Sequence, residues 1–195
     1  MVIRTTKDLS NNMSNTKFEI LPGLSGCGPS AIPFPATNRG FSEGFVVRFV
    51  PSSSEEWTGN FQRGDTRYSN VHMHPDTRRI IVVAGGADYL INPNAKSLEG
   101  HTTQDISFSQ VISELNIVIF GNNTHFWAEG KDGRKWTTPR LSWDGIKVSD
   151  VLDGVLTGMC YSSIDDTWHE IGVDVTSGAV TGYNFDSDFR RAKPV

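Results

Sequence analysis

The 195-residue sequence predicts an all-β fold of antiparallel four-stranded units, on three observations. A pattern of apolar run, turn, second run and Gly-containing turn occurs three times. Its copies begin at Arg79-Ile80-Ile81-Val82-Val83-Ala84-Gly85-Gly86, at Asn116-Ile117-Val118-Ile119-Phe120-Gly121 and at Gly154-Val155-Leu156-Thr157-Gly158, a spacing of roughly 37 to 40 residues. Helical periodicity is nearly absent: even Ile106–Leu115, the best candidate, opens with the alternating Ile106-Ser107-Phe108-Ser109 and reads as strand. Tight-turn dipeptides, Asp132-Gly133, Asp144-Gly145 and Asp153-Gly154, separate the runs, because glycine accepts the positive φ that such turns require.

Taken in order, residues 1–17 read as a disordered or extended leader, polar and without the apolar core of a signal peptide. Residues 18–195 read as one β domain. Within it, residues 18–68 are a Gly/Pro-rich segment and an incomplete unit. Leu21-Pro22-Gly23, Gly26-Cys27-Gly28-Pro29 and Ile32-Pro33-Phe34-Pro35 make central strands improbable there. Phe18, Ile20, Leu21, Ile32, Phe34 and Phe41 are nevertheless too apolar for a free tail, so the segment is expected to lie extended over a hydrophobic surface. Phe45–Val50 is a strand ended by Pro51, and Glu56–Phe61 a second. The repeat units then cover 69–104, 105–143 and 144–185. Each adds a leading strand (69–74, 105–110, 146–151) and a closing strand (96–102, 134–141, 179–185) to its two repeated runs, which makes four strands.

Four strands per unit at this period resembles a β-propeller, over about residues 70–185. The resemblance implies blade-like repeats: a small propeller, of four blades if residues 18–61 furnish one, or an open blade array. It carries no Trp-Asp blade ending, and the kelch-like Gly85-Gly86 is echoed only by the single glycines Gly121 and Gly158. An open array exposes sheet edges, so completion by a second copy of the chain is the other expectation.

Composition excludes several classes. A formal charge of −4 argues against a nucleic-acid binder, which needs a concentrated basic surface. The basic clusters are Arg78-Arg79, beside a turn, and Arg190-Arg191-Ala192-Lys193, a solvated tail. No apolar stretch approaches the ~20 residues of a membrane-spanning helix. With no export signal, the chain is expected in the cytoplasm and Cys27 and Cys160 as two unrelated thiols.

The strongest chemical motif is His72-Met73-His74-Pro75-Asp76. On a strand, His72 and His74 share a face, and with Asp76 they form a set that a divalent metal accepts. Thr77 stands where metallo-hydrolases with a His-x-His-x-Asp-His run have their final histidine. The favoured reading is a turn before Ile80, with Pro75 fixing φ and Asp76 capping the backbone. His125 and His169 each lie next to a tryptophan at equivalent points of two units, and His101 reads as a loop residue. The paired acids Asp150/Asp153, Asp165/Asp166 and Asp186/Asp188 fall in turns or the tail. No Gly-x-Ser-x-Gly nucleophile and no phosphate-loop or dinucleotide fingerprint is present, and no cofactor is expected.

With no nucleophile, base and charge stabiliser converging, the expectation is a non-enzymatic protein-binding module whose partner is another protein, for example a bacterial toxin-immunity protein. Its contact residues are expected to be turn aromatics and acids: Trp57, Trp143, Asp165, Asp166 and Trp168. One alternative is a carbohydrate-binding protein with an equivalent solvent-facing tryptophan in each unit. The other is a metal-dependent hydrolase using His72, His74 and Asp76.

Overall fold

The computed structural model describes residues 16–36 and 42–185. Its elements are sixteen strands and one 3-10 turn at Ser113–Leu115. The strands form four sheets of four. The first holds β1 (Lys17–Leu21), β2 (Ile32–Phe34), β3 (Phe45–Val50) and β4 (Trp57–Phe61); the second holds β5 (Asn70–Met73), β6 (Ile80–Ala84), β7 (Ala87–Asn92) and β8 (Ser97–Thr103). The third is β9 (Phe108–Ile112), β10 (Ile117–Gly121), β11 (Phe126–Gly130) and β12 (Gly133–Thr137); the fourth is β13 (Ile146–Leu152), β14 (Val155–Ser162), β15 (Thr167–Asp174) and β16 (Val180–Gly182).

Sheets two to four are antiparallel meanders, each strand pairing with its neighbours in sequence. Two-residue hairpins serve two kinds of joint: Gly85-Gly86, both at positive φ, closes Ala84 onto Ala87 between the repeated runs of the second sheet, and Asp153-Gly154, also both positive, closes Leu152 onto Val155 between the leading strand and the first repeated run of the fourth. Two positive-φ residues in a two-residue loop match the right-handed twist of the strands they connect. Some expected boundaries move for local reasons. The leading strand of the third sheet begins at Phe108, after Asp105 at φ 53, and its closing strand stops at Thr137, ahead of Pro139. The 3-10 turn ends at Asn116 in the left-handed region, which delivers the chain into β10.

The first sheet is built differently. Its order is β1-β3-β4-β2, and β2 runs parallel to β4, pairing Ile32 with Gly59 and Phe34 with Phe61. The two strands from the Gly/Pro-rich segment thus occupy the edges, where Pro33, which has no N–H to donate, is tolerated. Lys17 opens β1 and is not part of a leader; the remainder of the leader, residues 1–15, lies outside the described residues, as do Phe41, the Asp186/Asp188 pair and the basic tail.

Each sheet packs its faces on its neighbours in chain order. In β6, Ile80 and Val82 face Phe49, Phe61 and Tyr89 in the core between sheets one and two. Ile81 and Val83, on the other face, meet Val118, Phe120 and Trp127 of the third sheet. Ile119 and Phe126 continue the stack onto Leu156, Cys160 and Val173 of the fourth. Strands β6 and β10 are therefore apolar at every position, because both of their faces are covered. Strand β14 alternates instead, with Leu156, Gly158 and Cys160 buried and Val155 and Thr157 exposed, as a sheet with one covered face requires. Among the described residues no buried apolar cluster joins the first sheet to the fourth, and the blade-like array is open.

Candidate functional site

The His72–Asp76 segment is divided between two structural roles. His72 lies on β5, opposite Ile81, on the face toward the third sheet. Its Nε2 is 2.5 Å from Ser109 Oγ of β9, which is also 2.8 Å from the Tyr68 hydroxyl. Burial pushes the His72 pKa down to about 4, so the ring is neutral at pH 7. His74 is in the β5–β6 turn, and its Nδ1 accepts the Asp76 N–H at 3.1 Å. The Asp76 carboxylate caps the turn by accepting from Arg78 N (2.9 Å), Arg79 N (3.1 Å) and Arg79 Nε (2.6 Å). Burial works to raise the Asp76 pKa, but these donors outweigh it and hold the pKa at about 2. Among the described residues no three His, Cys, Asp or Glu side chains are placed to hold a metal.

Four of the five anticipated contact residues gather at one end of the fourth sheet. Trp143, 41 % exposed, packs edge-on against Phe185 beneath the Arg140 guanidinium. Two residues on, the Gly145 backbone passes so close to Trp168 and Tyr161 that a Cβ there would lie 3.1 Å from the indole. Trp168 and Tyr161 are cross-strand neighbours on the outer face of the sheet, and Lys147 Nζ sits 3.8 Å over the indole centroid. Asp165 and Asp166 occupy the β14–β15 turn, where Asp165 Oδ2 is 2.8 Å from His169 Nε2 and Asp166 accepts the Tyr161 hydroxyl. Ile164, at the tip of that turn, is exposed. Trp57 is elsewhere: it is 7 % exposed, stacks on Phe49 in the first core and donates its Nε1–H to Pro93 O at 2.8 Å. Its place opposite Phe49 on β4 makes it a core residue.

Charge is distributed unevenly along the stack. Residues 144–185 contain seven carboxylates and one lysine, a formal −6, so the rest of the chain carries +2 of the total −4. This bias is readable by counting charge unit by unit. That it coincides with a sheet whose outer face no other sheet covers among the described residues is visible only in three dimensions.

A second feature has no local sequence signature. Between the second and third sheets a cleft of about 480 Å³ opens beside the β5–β6 turn and the β11–β12 hairpin. Its floor is Ile81, Leu90, Ile106, Phe120 and Trp127. Three cations (Arg79, Lys131, Arg134) and three carboxylates (Asp88, Glu129, Asp132) surround it. Arg134 lies 5.2 Å over the Trp127 ring and donates to Glu129 Oε1 at 2.9 Å; Arg79 is paired with Asp76 and lies 3.6 Å from Glu99. Burial raises the Asp88 pKa, although the Thr102 hydroxyl donates to its carboxylate. A larger depression of about 720 Å³ between sheets three and four is walled by turns. The Asp174 carboxylate there is occupied by Thr176 and Ser177, whose hydroxyls lower its pKa to about 2.

The other sequence candidates have structural partners. His101 lies in β8 rather than in a loop, stacked on Tyr89 at 4.2 Å. His125 is 2.8 Å from Thr124 Oγ1, and His169 stacks on Tyr183. Cys27 is exposed, Cys160 is buried with its pKa raised by burial to about 11, and both are free thiols. Trp127 and Trp136 are 2 % and 9 % exposed, so the units do not present equivalent surface indoles.

Comparison with protein-family models and with curated proteins finds no match. Fold and surface together define the class: an all-β protein of four stacked, blade-like four-stranded sheets, the last of them acidic and, among the described residues, packed on a neighbouring sheet by one face. No helix among the described residues is long and apolar enough to cross a membrane.

Proposed function

We propose that this chain is a protein-binding module that works without chemistry of its own, and that the end of its fourth sheet is the contact face. The observation that carries this reading is that exposed Trp143 and Ile164 and half-buried Tyr161 and Trp168 gather with Asp165 and Asp166 at one end of the sheet formed by residues 144–185, a segment with a formal −6. Aromatic anchors beside a cluster of carboxylates can combine affinity with steered encounter, here with Lys147 and Arg140 lying over Trp168 and Trp143. The complementary partner is a protein with a basic surface. An immunity-type role, in which a small acidic protein occupies the surface of a basic toxin, is the specific form this pattern favours, and the array is read as an open, propeller-like scaffold for it.

The test is co-purification with the product of the neighbouring gene, followed by binding kinetics. A complex is expected whose association rate falls steeply between 50 and 300 mM salt, on the order of tenfold or more. Trp168→Ala and the double change Asp165→Asn/Asp166→Asn should each weaken it at least about tenfold, roughly 1.4 kcal/mol, with melting unchanged. Failure to retain any basic partner at low salt, or full affinity in both folded variants, refutes the proposal.

A further inference from the structure

The depression between the third and fourth sheets combines exposed apolar walls with charge of a single sign. Val111, Ile112, Leu115, Val151 and Val175 line it, and Val111 and Leu115 stay 43 % and 37 % exposed. Of the eight large apolar side chains exposed among the described residues, four lie in or beside it, since Leu152 and Val155 flank the Asp153-Gly154 hairpin that forms one wall. Exposed apolar side chains gathered in this way mark an interaction surface. The charged residues lining the groove are Glu114, Asp153 and Asp174, and no lining residue is a cation. Glu114 and Asp153 are exposed and take part in no ion pair among the described residues. Asp174 accepts from Thr176 and Ser177 through Oδ1, and none of those four bonds engages Oδ2. The frame is tied across the sheets: Val175 N donates to Gly154 O at 2.9 Å, and Val175 O accepts from Trp136 Nε1 at 3.0 Å.

We infer that this groove binds an extended basic peptide segment, with an aliphatic side chain seated between Leu115 and Val151 and flanking Lys or Arg side chains reaching Glu114 and Asp153. Charge selects the occupant. An acidic segment, a nucleic acid or the acidic sheet of a second copy would each bring like charge against three carboxylates. A divalent cation finds no cage, because no three His, Cys, Asp or Glu side chains among the described residues are placed to hold one. A linear polyamine has the charge but no branched group to fill about 720 Å³ between aliphatic walls. The groove is also distinct from the aromatic end of the same sheet. Strand β14 runs from Val155 at the groove to Ser162 at that end, which separates the two by about 23 Å. It is therefore a second site and does not depend on the first.

A display library of random heptapeptides, selected against the full chain and followed by fluorescence anisotropy of the winners, tests the inference. Selected peptides should carry an aliphatic residue flanked by Lys or Arg. Replacing that residue with Ser should weaken binding tenfold or more, and equimolar spermidine should not compete. Glu114→Gln/Asp153→Asn should weaken binding by the same factor with melting unchanged, since Asn suits the left-handed hairpin position as Asp does. Leu115→Ser, at an exposed position, should do likewise. Trp168→Ala should leave peptide binding unchanged, which separates this groove from the protein-binding face. A library that yields no basic binder, full affinity in both folded groove variants, or a Ser-substituted peptide or spermidine that binds as tightly overturns the assignment.

Discussion

His72 and Asp76 are four residues apart and respond to acid in different windows. His72 is neutral in the folded state because its ring is buried against Ser109, which brings its pKa from 6.5 to about 4. The unfolded chain binds that proton first, so its contribution is complete above pH 6.5, declines as pH falls toward 4 and does not worsen below. The loss by pH 5 is about 2 kcal/mol. Asp76 adds a slope of the same sign in a lower window: its pKa of about 2 means that its contribution persists down to the ordinary carboxylate range and disappears between about pH 4 and 2. His74 and His125, both held below the ordinary value chiefly by burial, add slope of the same sign as His72. Urea unfolding at a series of pH values should therefore show stability dropping between 6.5 and 4 and again below 4. In His72→Gln the larger part of the first drop should vanish while the second stays; an unchanged first drop would mean that His72 is not its source. The motif was legible as a turn, with Pro75 and Asp76 in their expected roles. The use of His72 on Ser109, 37 residues away, was not, because it joins two sheets.

At the scale of the strand, β13 and β14 show what the repeat demanded of its glycines. Gly158 lies where the β13–β14 register shifts between Val148 and Asp150, and a Cβ there would stand 2.4 Å from the Lys147 carbonyl oxygen. That oxygen is backbone and cannot swing away, so any side chain must part the strands. Gly158→Ala should cost about 2 kcal/mol or more, whereas Leu152→Ser, at a position 65 % exposed, should stay within about 0.5 kcal/mol. Denaturant midpoints of the two variants decide the point, and equal midpoints would show that the bulge relaxes. The apolar runs Ile80–Ala84 and Ile117–Gly121 read as strands and are strands; that both of their faces are covered comes from the structure. The edge strands of the first sheet were less legible, since β2 pairs parallel with a strand some 27 residues later. Nothing in Ile32-Pro33-Phe34 sets that direction.

At the scale of the molecule, sheets contact mainly their neighbours in the stack, and among the described residues three cores rather than one hold them together. Such an arrangement stores its stability in neighbour interfaces, in the manner of repeat proteins. Leu156, fully buried between the third and fourth sheets, belongs to the last of these cores. Leu156→Ala is expected to cost ~2–5 kcal/mol and to lower amide-exchange protection in β13–β16 well before β3, β4, β6 and β7. An even loss across all four sheets would instead mean that the array unfolds as a unit. Residue order alone settled the all-β class, the four-stranded units and the tight Gly turns, because side-chain alternation and turn preference are properties of adjacent residues. Tertiary structure decided that the array is open, that Trp57 is core while Trp143 is surface, and that a cleft edged by both cations and carboxylates lies between sheets two and three. Those features depend on which faces meet, and the contacts that cover a face come from residues some 40 positions away, beyond the reach of any local pattern.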